Sequence, residues 1–483
     1  MSRRCAPRWA GVFVGLLLVA YPTVLVGATI GLNFPGANLD DGIFATGKGY
    51  APPDNGGGVG PDHVVQLING AFVVFNKTNG TPLQFMSGQQ FWSNAGVDPG
   101  TGPGTTNLGA FNQRVLYDPT SGRWIAAALT GASENNHVLL ARSETSNPAG
   151  DWQAVSFLGN NETSGKFADF TRLGVDANGV YIATDNFASL AGGLEYQSVF
   201  SVPKADLMAS TPIMDNMQAF FGLNQDVNFV GSNLQPIVNF GPVGSHAPLL
   251  GTGVEANETF LYRSDLMNTA MAGATLSLDG TPIEVNSYVG PPAAAQPDQS
   301  HAIGLLDYRF KGHVYQVGNV IYAAHDVKIG SNAAIKWYKI DEMTNEVIEE
   351  GILSDPNYDY FQGSIAANAN GDVVIGFNRS GTGPDGQIRI YAVHGTTVGD
   401  VTTFGAPILL KASTVDAYHY INTRWGDYTT TVVDPLDPNV FWTFQEYALT
   451  NNDWATQITQ IIVPEPSSVA LAVIALVAFA AAA

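Results

Sequence analysis

The sequence predicts an all-β protein that folds as a single β-propeller. Pairs of apolar strands joined by tight turns recur along the chain, and a more polar pair follows most of them. No amphipathic helix of useful length competes with this pattern. Four strands repeated about seven times are typical of a propeller, whose inner strands are buried and whose outer strands face water.

Seven strand-turn-strand units support this prediction, and Asp-Pro and Asn-Gly steps supply their turn geometry. The clear units run 114–127, 172–183, 363–377 and 428–444, and the weaker ones run 64–75, 237–251 and 313–323. The spacing exceeds the roughly 40 to 50 residues of regular propeller repeats, which predicts long loops. Six blades is the alternative count if the unit near residue 237 is something else, and a β-helix or tandem sandwiches would also give many short strands.

The first 28 residues predict a secretory signal peptide. Arg3, Arg4 and Arg8 precede an apolar run from Trp9 to Val26, and a small-residue cleavage site follows. The one cysteine, Cys5, lies in this segment, so the exported chain is expected to have no thiol. Disulfides, thiolate metal sites and a cysteine nucleophile are therefore excluded.

Three further segments complete the predicted organisation. Residues 29–60 are rich in Gly, Pro and Asn and predict an irregular lead-in with room for a strand that completes the last blade. Residues 61–462 are assigned to the propeller, and residues 463–483 form a separate tail.

The tail begins with Pro464, Glu465 and Pro466 and ends in 15 apolar residues, Val469 to Ala483. A Pro-Glu-Pro triplet before an apolar helix resembles the PEP-CTERM sorting signal of bacteria that export polysaccharide. The resemblance implies export to the cell surface or the extracellular space, handling by signal peptidase and an exosortase-like enzyme, and anchoring through the tail. Two features depart from the pattern: no basic cluster follows, and the apolar run is shorter than the roughly 20 residues of a spanning helix.

The charge of the chain excludes nucleic acid as a partner. The formal net charge is −21, and removal of residues 1–28 takes away three Arg and no acids, which makes it −24. Such a surface repels phosphate backbones, and no basic cluster reverses this locally.

Known catalytic and metal motifs are missing from the sequence. The eight His residues lack ligand spacing, and neither His-Glu-x-x-His nor Gly-x-Ser-x-Gly occurs. We therefore expect no cofactor and no zinc site. The turns at Asp176–Gly179 and Asp434–Asn439 could bind Ca²⁺ through carboxylate and carbonyl oxygens, although turn chemistry explains them as well.

Charged residues cluster where the predicted inner strands begin, which places them at one mouth of a central channel. The ligand-binding candidates are four Asp and four Arg: Asp62, Arg114, Asp169, Arg172, Asp307, Arg309, Arg424 and Asp427. They could form a site in which Arg binds a carboxylate and Asp acts as an acid, a base or a sugar-hydroxyl acceptor. They could equally pair with each other and connect adjacent blades, and this second interpretation is favoured.

The repeat resembles sialidase-like secreted propellers in architecture alone. The Asp-box of sialidases is not reproduced; its nearest counterpart, Asp118 to Trp124, has the Asp two residues too early. The segment Arg424 to Tyr428 resembles an element of uncharacterised secreted bacterial propellers. Neither resemblance assigns catalytic residues.

The sequence therefore predicts an exported, surface- or matrix-associated propeller that acts as a binding or structural platform, with extracellular polysaccharide or another exported protein as the expected partner. The alternative is a carbohydrate-active hydrolase or lyase with an Arg/Asp site at the channel mouth. Such an enzyme would need two carboxylates roughly 5 to 10 Å apart in a cleft.

Overall fold

The computed structural model describes residues 27–100, 109–131, 134, 136–161, 165–188, 192–224, 229–278, 280–299 and 301–465. The predicted signal peptide up to residue 26 and the tail from Pro466 onward lie outside the described residues. Within the described ranges, no helix is both long and apolar enough to cross a membrane.

The first part of the chain forms two complete blades after an N-terminal strand. These elements are β1 (Thr29–Asn38), α1 (Leu39–Thr46), β2 (Gly56–Val59), β3 (His63–Ile68), β4 (Ala71–Asn76), β5 (Pro82–Ser87), α2 (Gly88–Asn94), β6 (Phe111–Asp118), β7 (Arg123–Leu129), β8 (His137–Ser143) and β9 (Trp152–Leu158). Strands β2 to β5 form blade one, and strands β6 to β9 form blade two.

Blades three and four follow. Their elements are β10 (Phe167–Val175), β11 (Gly179–Phe187), β12 (Leu194–Pro203), α3 (Lys204–Leu207), β13 (Gln218–Leu223), β14 (Ser232–Asn239), β15 (His246–Thr252), β16 (Glu258–Met267), β17 (Thr275–Leu276) and β18 (Thr281–Tyr288). In blade four both β17 and β18 pair with β16, so two segments share the outer position.

Blades five to seven complete the ring. Their strands are β19 (Val314–Val317), β20 (Val320–Ile329), β21 (Asn332–Asp341), β22 (Val347–Leu353), β23 (Asp359–Ala367), β24 (Asp372–Ser380), β25 (Arg389–Val398), β26 (Val401–Phe404), β27 (Ile408–Ala412), β28 (Thr430–Val433), β29 (Val440–Thr450) and β30 (Asp453–Ile462). The prediction of an all-β, seven-bladed propeller is confirmed, and the unit near residue 237 is blade four.

The N-terminal strand closes the ring by pairing with the last strand. Strand β1 runs antiparallel to β30, with Thr29 opposite Ile462 and Asn38 opposite Ala455. The Asn33 side chain donates to the Leu410 carbonyl at 2.9 Å, which connects blade seven to blade six. Blade seven is therefore assembled from the two ends of the described chain.

Residues 29–60, predicted as an irregular lead-in with room for a ring-closing strand, contain such a strand as β1, but they also contain α1 and the inner strand of blade one and so are not irregular. Gly56–Val59 is that inner strand, and the predicted inner pair 64–75 forms the second and third strands instead. The glycines were interpreted as turn signals, but they are required by close packing. A Cβ at Gly57 would lie 2.3 Å from Cδ1 of Phe444, and one at Gly56 would lie 2.8 Å from the Gln113 carbonyl oxygen.

The apolar core is divided among the interfaces between blades. The described residues form seven buried clusters, most of which lie between neighbouring blades. The first extends further, since it joins blades seven and one to the loop residues Ala294, Ile303 and Leu305 and to Phe361 of blade six. Between blades one and two, for example, Val65 and Leu67 pack with Val115 and the fully buried Trp124. Inner strands are apolar on both faces because each is covered by a blade on either side.

The inner strands run in the same direction around the channel and so create two different mouths. Strand β14 pairs parallel with β19, with Ile237 opposite Val314. We call the end where these strands begin the start mouth, and the end where they finish, at Val59, Leu116 and Val432, the end mouth.

Candidate functional site

A repeated β-bulge shapes the start mouth. The residues Asn112, Phe170, Asn233 and Gln362 each have a φ between 52° and 55°. Each lies within a register shift at the beginning of an inner strand, in blades two, three, four and six. A bulge re-aims the adjacent side chains, and here it brings polar groups to the channel in successive blades.

Buried ion pairs occupy most of this mouth. Arg172 binds Asp185 through two hydrogen bonds of 2.9 and 2.7 Å, and both side chains are buried. Lys311 Nζ lies 2.6 Å from Asp326, where both side chains are completely buried. Such paired charges hold adjacent elements in register, since each one would be costly to bury alone.

Two further arginines pair with carboxylates close to them in sequence. Arg309 binds Asp307 with two contacts of 2.8 Å, and its guanidinium lies 3.7 Å from the ring centroid of Phe170. Although burial acts to raise it, the Arg309 charge holds the pKa of Asp307 below its usual range. Arg424 donates to Asp427 at 2.6 Å.

Seven of the eight predicted candidates lie at the start mouth, and Asp62 does not. Asp62 is exposed in the turn after β2, at the end mouth, where its carbonyl accepts from the Lys77 amide at 3.1 Å. The prediction placed it at the wrong mouth because the inner strand of blade one was assigned one strand too late. The correct position before that strand is occupied by Asp54.

The sequence interpretation missed five charged members of the cluster: Asp54, Asp185, Lys311, Asp326 and Glu446. Asp185 could have been found from the hairpin register, since it pairs opposite Asp169. Asp54 was hidden in the supposed lead-in. Glu446 lies on the second strand of blade seven, two residues beyond Phe444, which pairs with Thr430 of the inner strand. Its carboxylate accepts from the Gly426 amide at 3.0 Å.

Seven carboxyl groups and five cations thus meet at this mouth, an excess of two negative charges if all are ionised. Burial and the nearby Asp427 charge raise the pKa of Asp54 well above its usual range. Burial likewise raises the pKa of Glu446 well above its usual range. Burial therefore favours the neutral form of both carboxyls, which reduces the excess of negative charge at this mouth.

The pKa of Asp169 lies closer to neutral pH than the ordinary aspartate value of 3.8. Burial raises the pKa of Asp169 to about 6, and repulsion from Asp427 adds to this increase. Hydrogen bonds from the Phe170 amide and from Asn112 act in the opposite direction and lower the pKa. Its carboxylate accepts from the Phe170 amide at 2.8 Å and from the Asn112 side chain.

Arg114 is the exception among the arginines of the channel. It is 1% exposed, and within the described part of the chain no carboxylate lies at ion-pair distance from it. Its guanidinium lies 4.5 Å from the ring centroid of Tyr428, and Nη2 lies 3.3 Å from His313 Nε2. Its Nε and Nη1 atoms have no hydrogen-bond partner among the described residues.

The end mouth contains an apolar cavity of about 240 Å³ on the channel axis. Its walls come from six different inner strands and the turns that follow them: Val59, Leu116, Val238, Tyr315, Val317, Ala367, Val432 and Val433 contribute the apolar surface. The one carboxylate in the wall, Asp434, is neutralised by Lys77 at 2.8 Å and accepts from Trp442 Nε1 at 3.0 Å.

A second cavity of about 460 Å³ lies beside the first, and both share Gln316 in their walls. It lies between the loop after β14 and the loop after β21. Of its two carboxylates, Glu342 contacts His246 at 2.6 Å and Arg263 at 2.8 Å, and Asp176 accepts hydrogen bonds from neighbouring amides and from Tyr181. Both cavities open at the end mouth, opposite to the predicted site.

The two turns considered for calcium use their carboxylates as hydrogen-bond acceptors. Asp176 Oδ1 accepts from the Asn178 and Gly179 amides and from the Tyr181 hydroxyl, at 2.7 to 2.8 Å. Asp434 accepts from the Leu436 amide as well as from Lys77 and Trp442. Across the described ranges, no group of three or more His, Cys, Asp or Glu side chains could hold a metal ion.

Fold and site together define a seven-bladed β-propeller with a charged mouth and an apolar mouth. No protein-family model matches the sequence, and no curated protein matches it. A Dyadobacter fermentans protein of unknown function is similar in structure, with 11% identity over 74% of this chain and 95% of that one and a TM-score of 0.40. Drosophila Semaphorin 1b, extracellular domains 1-2, has 6% identity over 91% and 88%, with a TM-score of 0.38.

Trypanosoma rangeli sialidase is also similar, with 10% identity over 73% of this chain and a TM-score of 0.35. The similarity spans 54% of that sialidase, about half of its length.

Proposed function

We propose that this protein is an exported binding platform that holds an apolar segment of another exported protein at the end mouth. The observation that carries this proposal is the 240 Å³ cavity, whose apolar walls come from six inner strands. A site built on the rigid inner strands of a ring is pre-formed and loses little freedom on binding. Export rests on the basic and apolar N-terminal segment and on the Pro-Glu-Pro triplet in the sequence.

The chemistry of the cavity favours a protein over a polysaccharide. Sugars need several hydrogen-bond donors and acceptors, whereas these walls are mainly Val, Leu, Ala and Pro. The volume is also below the roughly 300 to 1,000 Å³ of typical small-molecule sites. One or two apolar side chains fit this space and chemistry better than a sugar chain.

The alternative, a carbohydrate-active hydrolase or lyase at the start mouth, has weaker support. Its candidate carboxylates are committed to neighbouring cations, as in the Arg172–Asp185 and Arg424–Asp427 pairs. Asp54 and Asp169 have raised pKa values, yet Asp54 accepts from Asn69 at 2.8 Å and Asp169 accepts from Asn112 and Phe170. Asp54 is moreover only 1% exposed, and a general acid that no substrate can reach cannot donate its proton to one.

A cavity-filling substitution tests the proposal. Val432→Trp places an indole in the cavity, and Val317→Asn makes the wall polar without adding bulk. The matched control is Val398→Trp, which adds an indole at the same face at a residue that is 70% exposed and outside the cavity. Each purified protein is presented to a peptide display library and to a glycan array, and its unfolding midpoint is measured to establish folding.

We expect enrichment of peptides with apolar side chains by the wild type and by Val398→Trp, and loss of that enrichment in both cavity variants. Unchanged peptide selection by the folded Val432→Trp and Val317→Asn variants would overturn the proposal. Binding of glycans alone would also overturn it.

A further inference from the structure

We infer that the end-mouth cavity also binds the chain's own tail, through an apolar side chain of the segment from Val469 to Phe479. This inference rests on the proposed function, because it names a second apolar occupant for the same cavity. It is carried by the point at which the described chain leaves the ring and by the composition of the residues that follow. The tail and a partner polypeptide therefore compete for one site.

The described chain leaves the propeller beside the cavity. Val463 follows β30, and its amide donates to the Asn439 carbonyl at 2.8 Å. Asn439 ends the turn between β28 and β29. The cavity wall contains three other residues of that turn: Asp434, Pro435 and Pro438. The exit point and the wall are therefore two sides of one turn.

Apolar contacts continue from the exit point to the cavity. Val463 is 2% exposed and belongs to a buried cluster against which Val433 and Tyr315 pack. Both of these residues also line the cavity. Beyond Val463, Pro464 is half-buried and Glu465 is exposed. The chain thus reaches the surface next to the cavity.

The tail is long enough to reach the cavity. Strand β30 is the third strand of blade seven counted from the channel, so Val463 lies about two strand spacings, or about 10 Å, from the inner strand β28. Val469 is six positions after Val463, and six extended residues span about 20 Å.

Attachment to the ring strengthens the binding of the tail. A short tether that spans the gap gives the attached segment an effective concentration in the millimolar range. At micromolar protein concentrations, the tail of a second copy is therefore a much weaker competitor for the cavity. Even a modest intrinsic affinity is sufficient for the chain's own tail to occupy it.

The composition of the segment matches the walls of the cavity. Its 15 residues from Val469 to Ala483 have no polar side chain, and the largest of these side chains belong to Leu471, Ile474, Leu476 and Phe479. Removing one of them from water is favourable in proportion to the apolar area that is buried. The cavity offers mainly Val, Leu, Ala and Pro surface, and the charge of its one carboxylate, Asp434, is compensated by Lys77.

Disulfide trapping tests the inference. In a background in which Cys5→Ser removes the one native thiol, Val432→Cys in the cavity wall is combined with Leu471→Cys in the tail. The matched control combines Leu471→Cys with Leu436→Cys, because Leu436 lies in the turn beside the exit point, is 69% exposed and is outside the cavity wall. Unfolding midpoints establish that both reduced proteins are folded.

We expect the Val432 pair to crosslink within one chain at least tenfold faster than the Leu436 pair. The rates are measured in a glutathione buffer at micromolar protein, by mass spectrometry and non-reducing electrophoresis. A tail that merely moves in solvent near its exit point would react with the exposed Leu436 position at least as fast as with the Val432 position.

A second experiment measures the competition with a partner. A chain that ends at Glu465 keeps every described strand of the ring and lacks the apolar segment. A full-length variant replaces the four large apolar residues by serine: Leu471→Ser, Ile474→Ser, Leu476→Ser and Phe479→Ser. Both proteins should bind the apolar peptides selected by display at least tenfold more tightly than the wild type, because a larger fraction of their cavities is free to bind.

The outcomes separate this inference from the proposed function. Equal trapping rates for the two cysteine pairs would overturn tail binding, as would crosslinks formed mainly between two chains. Equal peptide affinities with and without the apolar segment, together with loss of enrichment in Val432→Trp, would also overturn tail binding but leave the platform intact. Fast trapping at Val432 in a protein that selects no peptide, with or without the tail, would support tail binding and overturn the platform for another protein.

Discussion

At the scale of single residues, the Arg172–Asp185 pair shows how the start mouth is stabilised. Both charges are buried and bind each other through two hydrogen bonds. Arg172→Met leaves the buried Asp185 carboxylate with only the longer contact to Arg309, whose Nη1 lies 3.7 Å away. We expect a loss of about 3 kcal/mol in the free energy of unfolding, measured with urea.

The double variant Arg172→Met with Asp185→Leu removes both charges and should recover most of that loss. Arg123→Met is the control, because it breaks an exposed ion pair instead of a buried one: Arg123 and Glu144 are each about one-third exposed and 3.7 Å apart. This variant should change the free energy of unfolding by about 0.5 kcal/mol or less. A double variant as unstable as the single variant would contradict this account.

Asp169 gives the mouth a measurable pH dependence. Its pKa of about 6 in the folded protein exceeds the ordinary aspartate value of 3.8, so the folded protein binds this proton more tightly than the unfolded chain. The stabilising effect of protonation is complete below pH 3.8 and is lost as the pH rises through 6. Asp169→Asn keeps a neutral acceptor at every pH, so we expect it to be more stable than the wild type by up to about 3 kcal/mol at pH 8.

The comparison includes its own control, because at pH 3.5 the side chain is neutral in both proteins when folded. The stability difference should shrink toward zero there. A difference that does not vary between pH 3.5 and 8 would show that Asp169 is not the group responsible.

At the scale of elements, the three glycines of β2 are a packing requirement. Blade seven approaches so closely that a Cβ at Gly57 would lie 2.3 Å from Cδ1 of Phe444. We expect Gly57→Ala to lower the free energy of unfolding by about 1–3 kcal/mol through overpacking.

Gly193→Ala is the matched control, because nothing lies within 4 Å of its added Cβ and its backbone is unstrained. Thermal or urea unfolding measures both. If Gly57→Ala proves as stable as Gly193→Ala, β2 is not confined by blade seven.

Elements defined by local chemistry could be predicted from the sequence, and those defined by distant packing could not. The turn from Asp118 to Gly122 specifies the β6–β7 hairpin through its own residues, and the structure contains it. Gly56–Val59 was missed because glycine normally marks a turn, and its role as a strand depends on Phe444, which is almost 390 positions away in the chain. A strand that completes the last blade was expected within residues 29–60, but its bounds and its register against β30 have no local signature.

The same distinction explains the candidate site. Arg114, Arg172 and Arg424 were found because they begin clear inner strands. Glu446 was missed because its strand is the second of its blade, although the β28–β29 register, with Thr430 opposite Phe444, brings it close to Gly426. The apolar cavity was missed for a similar reason, since each of its six strands contributes one or two ordinary apolar residues.

At the scale of the whole molecule, one strand holds the ring closed. Strand β1 forms six registered pairs with β30, and about 1 kcal/mol for each predicts a loss of about 6 kcal/mol when residues 29–38 are deleted. The unfolding midpoint should fall accordingly in calorimetry.

A circular permutant provides the control. Residues 29–38 are moved to follow Val463 through a short linker, which turns β30 and β1 into a hairpin with the same register. We expect this permutant to regain most of the lost stability. A permutant no more stable than the deletion would show that closure requires the original connection through α1.

The antiparallel pairing of Thr29 with Ile462 places both ends of the described chain together, which determines the orientation of the propeller if it is attached to a surface through either terminus. Both ends of the described chain leave the ring beside Asn439, whose carbonyl accepts from the Val463 amide at 2.8 Å, and Pro438 next to it is part of the cavity wall. A tether at either terminus therefore turns the cavity toward the attachment surface and the charged mouth away from it. Only partners able to enter the gap between propeller and surface, or already lying in it, would reach the cavity.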